Sequence, residues 1–303
     1  MNRGILFAIG AYLVWGFMPI WLKQIKDVPA MQILSHRVAW SFMLLALVIA
    51  TRKEWNDVRK AVGVKRTLII YSAAALLLGA NWLTYIIAVN SSHIIESSLG
   101  YFINPLVSVL LGVIFLRERL RPWQWLPVGI AGVGVIYLTM DYGRLPWIAL
   151  ALAATFALYG LVKKIAPLGS LHGLMLETAI LFLPALLYLL TLEVQAVGWF
   201  SHHGWSQDLL LAAAGLITAV PLLLFGSAAR SIPLTMVGLL QYIAPTCQFA
   251  LGVLIYQEPF TPARLVGFII IWSALLMFWL EGYINYRRDL TLARRVSNPA
   301  SIP

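Results

Sequence analysis

The chain is written as a succession of apolar runs, each about as long as a bilayer is thick, with most charges held in the intervals between them. Crossing roughly 30 Å of hydrocarbon takes about 20 residues of helix. Runs of that length recur near residues 4–22, 30–50, 67–89, 94–116, 123–140, 145–162, 171–192, 208–229, 233–256 and 263–284. Only 11% of the 303 residues are charged, whereas soluble domains carry about 25%. Too little polar surface remains to face water. In lipid every backbone N–H and C=O must find a partner, and apolar runs of this length do so as helices, whose bonds lie within the segment. The expected fold class is an all-α integral membrane protein with ten transmembrane helices.

The intervals 23–29, 51–66, 117–122 and 193–208 separate spans, and a polar tail follows Tyr283. The first run follows Arg3 and continues through Trp15 and Pro19 with no small-residue cleavage pattern after it, so it reads as a retained helix. Cys247 is the single cysteine, which excludes an intrachain disulfide. A net charge of +10 in a soluble chain would suggest nucleic acid. Here the basic residues sit in short loops, where the positive-inside rule accounts for them, and no nucleic-acid partner is expected. With the N-terminus inside, seventeen Lys and Arg fall on the cytoplasmic side, Lys163 and Lys164 among them. Only Lys23, Lys26, Arg144 and Arg264 fall outside, so both termini are expected in the cytoplasm, with the chain in the plasma membrane (the bacterial inner membrane).

The chain also matches itself at an offset of 140 residues. Asn104-Pro105, Gly112 and Arg117-Glu118 align with Ala244-Pro245, Gly252 and Gln257-Glu258; Pro122 meets Pro262, Tyr101 meets Gln241, and Ala88 meets Ala228. A looser match sets Trp15-Gly16 against Tyr159-Gly160. The repeating unit is five helices, with boundaries at 1–142 and 143–286 and a basic tail at 287–303. Five is odd, so the second copy enters the membrane from the opposite side. Its loops agree: Arg117, Arg119 and Arg121 become Gln257, Pro259 and Thr261. Inverted repeats are a transporter architecture, with the substrate site near the midplane between the halves.

The motif Ser97-Ser98-Leu99-Gly100-Tyr101-Phe102-Ile103-Asn104-Pro105, continuing through Gly112 to Arg117-Glu118-Arg119-Leu120, resembles the repeat signature of the EamA-type drug/metabolite transporters. The opening Gly4, Tyr12, Trp15-Gly16 and Pro19, together with Ser35-His36-Arg37, is similar to the RarD branch, the chloramphenicol-sensitive permeases. The resemblance covers about residues 4–288, and the second half departs from the pattern at Pro233 and Gln241. It implies ten helices in two five-helix repeats and energy-coupled export or exchange of a small metabolite.

Ionisable groups within hydrocarbon cost about 2.5–3.5 kcal/mol each on insertion scales, so they face a cavity or a partner. His36 and Arg37 fall in span two, Glu96 early in span four and Glu177 in span seven. Arg37 has a planar fork suited to a carboxylate or phosphate; it either pairs with Glu96 or an anionic substrate group, or snorkels to the outer headgroups. Glu96, Glu177 and His36 are proton-coupling candidates, each with a packing or hydrogen-bonding role as the alternative. Asn81, Trp82 and Tyr85 in span three and Tyr101 and Asn104 in span four form a polar-aromatic group. Gln241 and Tyr242 contribute from span nine, and Tyr12 and Trp15 from span one. Such residues stack planar ligands and hydrogen-bond their edges; the alternative is interfacial anchoring and helix packing. Pro105 and Pro245 weaken helices at matching places, which points to a transporter site. The small residues Ser97, Ser98, Gly100, Gly129, Gly132 and Gly134 are expected at close helix contacts, and Glu118 and Glu258 beside arginines at helix ends. Metal ligands, a bound cofactor and catalytic constellations are not expected: no HExxH, nucleophile elbow or P-loop occurs. The reading is a secondary transporter of a small-molecule solute working by alternating access, with a proton or counter-substrate as driving force. The alternative is a non-transporting accessory or structural membrane protein.

Overall fold

Each apolar run becomes a helix in the computed structural model, which describes residues 2–90, 94–143, 145–257 and 262–297. In chain order the helices are α1 (Arg3–Gln24), α2 (Ala30–Arg52), α3 (Trp55–Val62), α4 (Lys65–Asn90), α5 (Ile94–Phe115), α6 (Pro122–Tyr142), α7 (Trp147–Ile165), α8 (Ser170–Val194), α9 (Trp205–Ser231), α10 (Leu234–Leu240), α11 (Ile243–Ala250), a π-helical turn (Leu251–Ile255) and α12 (Pro262–Ser297). Among the described residues no strand occurs, and nine helical stretches are long and apolar enough to cross a membrane; a further apolar stretch, Leu99–Phe115, lies within α5. Large apolar side chains such as Leu47, Leu76, Ile114 and Phe115 are exposed on outer faces. That is the surface a lipid solvent requires, and the chain is a multi-pass membrane protein.

Two elements differ from the sequence reading. The basic interval 51–66 contains the short helix α3, whose Val58 and Ala61 join the core. Past Tyr283 the chain continues as α12 through Ser297.

The chain divides into two units. The larger comprises Met1–Glu118 with Pro146–Glu258, the smaller Arg119–Leu145 with Pro259–Pro303. These units cut across the sequence repeats, because the smaller one is built from the last helix of each. In it α6 packs along α12. A Cβ on Gly267 would come within 2.5 Å of Leu138, and one on Gly134 within 3.0 Å of Ile271. Arg121 and Glu281 tie the pair at 3.4 Å. Gly129 and Gly132, expected at a helix contact, have no atom of the described residues within 4 Å of such a Cβ.

In the larger unit α1 packs on α9, and α4 on α7. Helix α2 packs on α8 and α9, and α5 on α7 and α10. The closest of these approaches is α2 to α9: a Cβ on Gly215 would sit 2.5 Å from the carbonyl carbon of Trp40. Gly100 likewise brings α5 against Ala149 and Leu152 of α7. The two prolines behave differently. Helix α5 runs on through Pro105, whereas the helix containing Pro245 breaks at Gln241 and Tyr242. A proline lacks the N–H for an i−4 bond and its ring collides with that carbonyl; position i−4 from Pro245 is Gln241. The ends of α5 and of the π turn share one feature. Arg117 and Gln257, 140 residues apart, both adopt left-handed backbone, with φ of 53° and 50°.

Candidate functional site

A cavity of about 420 Å³ lies inside the larger unit. It is lined from α1 by Tyr12 and Trp15, from α2 by Arg37, from α4 by Asn81, Trp82 and Tyr85, from α5 by Tyr101 and Asn104, and from the break before α11 by Gln241. These are nine of the ten side chains that the sequence picks out for a binding site. The tenth, Tyr242, is buried beside them and donates its hydroxyl to the Phe102 carbonyl at 3.1 Å. Pro245 lines the cavity and Pro105 does not.

The polar groups are held by neighbouring helices. Asn81 donates from Nδ2 to the Leu152 carbonyl and to Thr155 Oγ1, both at 2.9 Å, which spends its donors and leaves its oxygen. Asn104 accepts from Ser108 through Oδ1 at 3.2 Å. Gln248, absent from the sequence reading, lines the same wall and ties α11 to α1 by donating to the Trp15 carbonyl at 3.1 Å. Arg37 donates from Nε to Thr218 Oγ1 of α9 at 2.9 Å, and its guanidinium carbon lies 4.9 Å from the centre of the Trp82 ring. A cation over an indole face is held by the ring quadrupole, so two helices brace this one side chain. Among the described residues Arg37 has no carboxylate partner; the side chain of Glu96 lies outside them.

The cavity lining runs from exposed residues to fully buried ones. Exposed Lys26, in the α1–α2 connection, marks its mouth. Its floor is aromatic: Trp15 lies 5.7 Å from Tyr12, 5.6 Å from Phe156 and 5.8 Å from Phe225, and the Tyr159 ring stacks on Phe225 at 5.9 Å. Aromatic pairs at these separations contribute about 0.5–1.5 kcal/mol each beyond area burial. The hydroxyl of Tyr12 closes the floor by donating to the Val237 carbonyl at 3.0 Å.

Below the floor the helix ends are latched together. Among the described residues Glu118 has no arginine partner; it accepts from the backbone N–H groups of Leu234 and Thr235, at 2.6 and 2.9 Å, and so caps the N-terminus of α10. Lys164 donates to the Ile232 carbonyl at 2.6 Å, and Arg230 donates to the carbonyls of Ala166 and Leu168. Tyr71 accepts from the Leu168 N–H at 3.0 Å. Within this layer Glu177 is fully buried, 2.7 Å from Lys163 Nζ, and accepts from the Tyr159 hydroxyl at 2.9 Å. Lys163 therefore belongs to the interior rather than to a loop: α7 extends through Ile165 and turns the residue inward. His36 lines no part of the cavity and packs its ring on Phe200, 5.5 Å between centres.

Sequence reasoning missed Thr218, Phe156 and Lys163. Phe156 was within reach: the offset that sets Trp15 on Tyr159 also sets Tyr12 on Phe156. Nothing in the sequence marks Thr218 among the apolar residues around it.

Known proteins place the chain. Residues 2–140 match the model of the EamA-like transporter family. The chain is 46% identical over 288 residues to Protein RarD of Streptomyces exfoliatus, covering 95% of this chain and 91% of that one. It is 43% identical to an uncharacterized transporter of Vibrio cholerae, covering 93% of each, and 41% identical to Protein RarD of Escherichia coli, covering 95% and 97%. A solved crystal structure superposes with a TM-score of 0.67 at 18% identity, over 92% of this chain and 98% of that chain, a likeness of fold. On the length and level of these matches, the chain belongs to the EamA-like transporter family and to the group of its members that carry the name RarD.

Proposed function

We propose that this chain is a secondary transporter of a small organic solute, and not an enzyme, that it works by alternating access between two inverted five-helix repeats, and that it exports or exchanges its substrate across the inner membrane. The observation that carries the reading is a cavity drawn from both halves, open at one end and latched at the other. In this reading ten helices span the membrane and both termini are cytoplasmic, so the mouth at Lys26 faces outward and the latched layer is the closed inner gate.

Pairwise packing supports the repeat. Taking residues 1–142 onto 143–286 carries the α1–α9 contact onto the α7–α4 contact, and leaves the α2–α8 contact mapped on itself. The hydrogen bond from Tyr242 to Phe102 joins equivalent residues, 140 apart, as they would meet at a pseudo-two-fold axis. The matched left-handed residues Arg117 and Gln257 end equivalent helices.

Opening the inner gate requires separating the groups around Lys164, Arg230 and Glu118, and it would give water access to Glu177 and Lys163. Glu177 is then the group that takes and releases a proton as the halves rock. Counterflow in proteoliposomes, with a panel of organic solutes and with or without a pH gradient, tests the function. Solute movement that depends on the protein and quickens with the gradient is expected. Movement indifferent to pH would return Glu177 to a structural role, and movement of no solute would leave the accessory reading in its place.

A further inference from the structure

The site carries information about the charge of what it binds. Arg37 is fixed at Nε by Thr218 and across its face by Trp82, yet its two Nη groups meet no acceptor among the described residues. Neither Nη is among the polar atoms sealed away from solvent without a partner, and the residue lines the cavity. The free edge of the guanidinium is therefore presented to the cavity as a preorganised fork. A second cation, Lys26, stands at the mouth. Among the described residues that line the cavity there is no aspartate or glutamate. The remainder of the wall carries the neutral amides Asn81, Asn104, Gln241 and Gln248 among apolar and aromatic side chains, with Trp15, Tyr85, Tyr101 and Phe156 among the latter. A volume of about 420 Å³ suits a body of one or two rings.

We infer that the substrate class is an organic monoanion, a carboxylate on a planar apolar body, whose acid group docks on the Nη edge of Arg37 while its ring stacks deeper among the aromatic side chains. This rests on the transporter reading of the cavity and adds the charge it selects. A carboxylate binds a guanidinium fork through two parallel charge-assisted bonds. An ammonium group in the same place would meet a fixed cation with no acidic group to offset it.

The test compares three probes of nearly equal shape on the purified full-length protein by titration calorimetry: 3-phenylpropionate, 3-phenylpropionamide and 3-phenylpropylammonium. The carboxylate is expected to bind at least about tenfold more tightly than the amide, and the ammonium least of all. Arg37→Gln erases that preference and Arg37→Lys retains part of it. Equal or tighter binding of the amide or the ammonium, no binding of the carboxylate, or a preference that survives Arg37→Gln overturns the inference; the wild-type comparison stands even where a variant fails to fold. Counterflow of the same three probes separates this claim from the one beneath it. Carboxylate binding without counterflow upholds the anion site and removes the transport reading. Counterflow that favours the amide or the ammonium keeps transport and removes the anion site.

Discussion

Arg37 and Glu177 stand 140 residues apart, the offset of the internal sequence match, and their surroundings could hardly differ more. Arg37 lies at the open end, half-buried, held at one edge and across one face with the other edge facing a cavity. Glu177 lies at the latched end with both oxygens occupied, one by Lys163 and one by the Tyr159 hydroxyl. Two charged residues at matching positions of the sequence offset thus meet different surroundings, one presenting an edge to a cavity and the other sealed in an ion pair. A buried pair offsets the cost of taking two charges out of water only while both partners are present, so the Glu177 site is suited to holding a gate shut. A guanidinium edge that faces a cavity is suited to recognition.

The largest effect is expected on breaking the pair. Glu177→Leu leaves Lys163 buried without its counter-charge, and thermal unfolding of the purified protein should show a loss of about 3–5 kcal/mol. Adding Lys163→Met should recover most of it, since an apolar pair of similar volume is often neutral or stabilising. If the double variant is stable but its transport no longer quickens with a pH gradient, Glu177 is a proton carrier as well as a latch. A single variant as stable as wild type would remove the contrast altogether.

A smaller loss is expected where α2 meets α9, the contact that positions Arg37 against Thr218. Gly215→Ala puts a Cβ within 2.5 Å of the Trp40 backbone. The helices must part, at about 1–3 kcal/mol in the same unfolding measurement, and ligand affinity should fall with stability because the brace moves with the helix.

The mildest change sharpens the comparison most. Thr218→Val removes only the acceptor for Arg37 Nε at nearly constant volume. Binding of the carboxylate probe should weaken by about three- to tenfold, as for loss of one ordinary hydrogen bond, with little change in unfolding temperature. No change in binding would mean that Trp82 alone orients the guanidinium.

Much of this site was legible before any coordinates, because hydrocarbon taxes polar atoms so heavily that each one inside a span stands out. Asn81, Asn104, Gln241 and Arg37 could be singled out on that ground, and the structure gathers them around one cavity. Trp82 with Tyr85 and Tyr101 with Asn104 followed from three-residue spacing on one helix face. Illegible were the partners. Lys163 read as a loop cation because Lys164 follows it and Pro167 and Gly169 mark a turn just beyond. Its burial depends on how far α7 extends and on which way its last turn faces. Gly129 and Gly132 looked like contact residues, yet among the described residues no atom lies within 4 Å of a Cβ built there, while Gly215, unremarked in the sequence, makes a close approach of α2 and α9.

Hydropathy by itself determined that the chain crosses a membrane many times, where the crossings fall and how the charges are distributed between them, since each follows from the local free energy of moving a segment from water into lipid. The internal match at 140 residues added the pairing of the two halves. Only the tertiary structure decided which face of each helix looks inward. In a soluble helix a polar stripe marks the outer face, but here both the lipid and the protein interior are apolar, so rotation about the helix axis leaves no such trace in the sequence. That rotation puts Thr218 under Arg37, turns Lys163 onto Glu177, and closes one end of the cavity while leaving the other open.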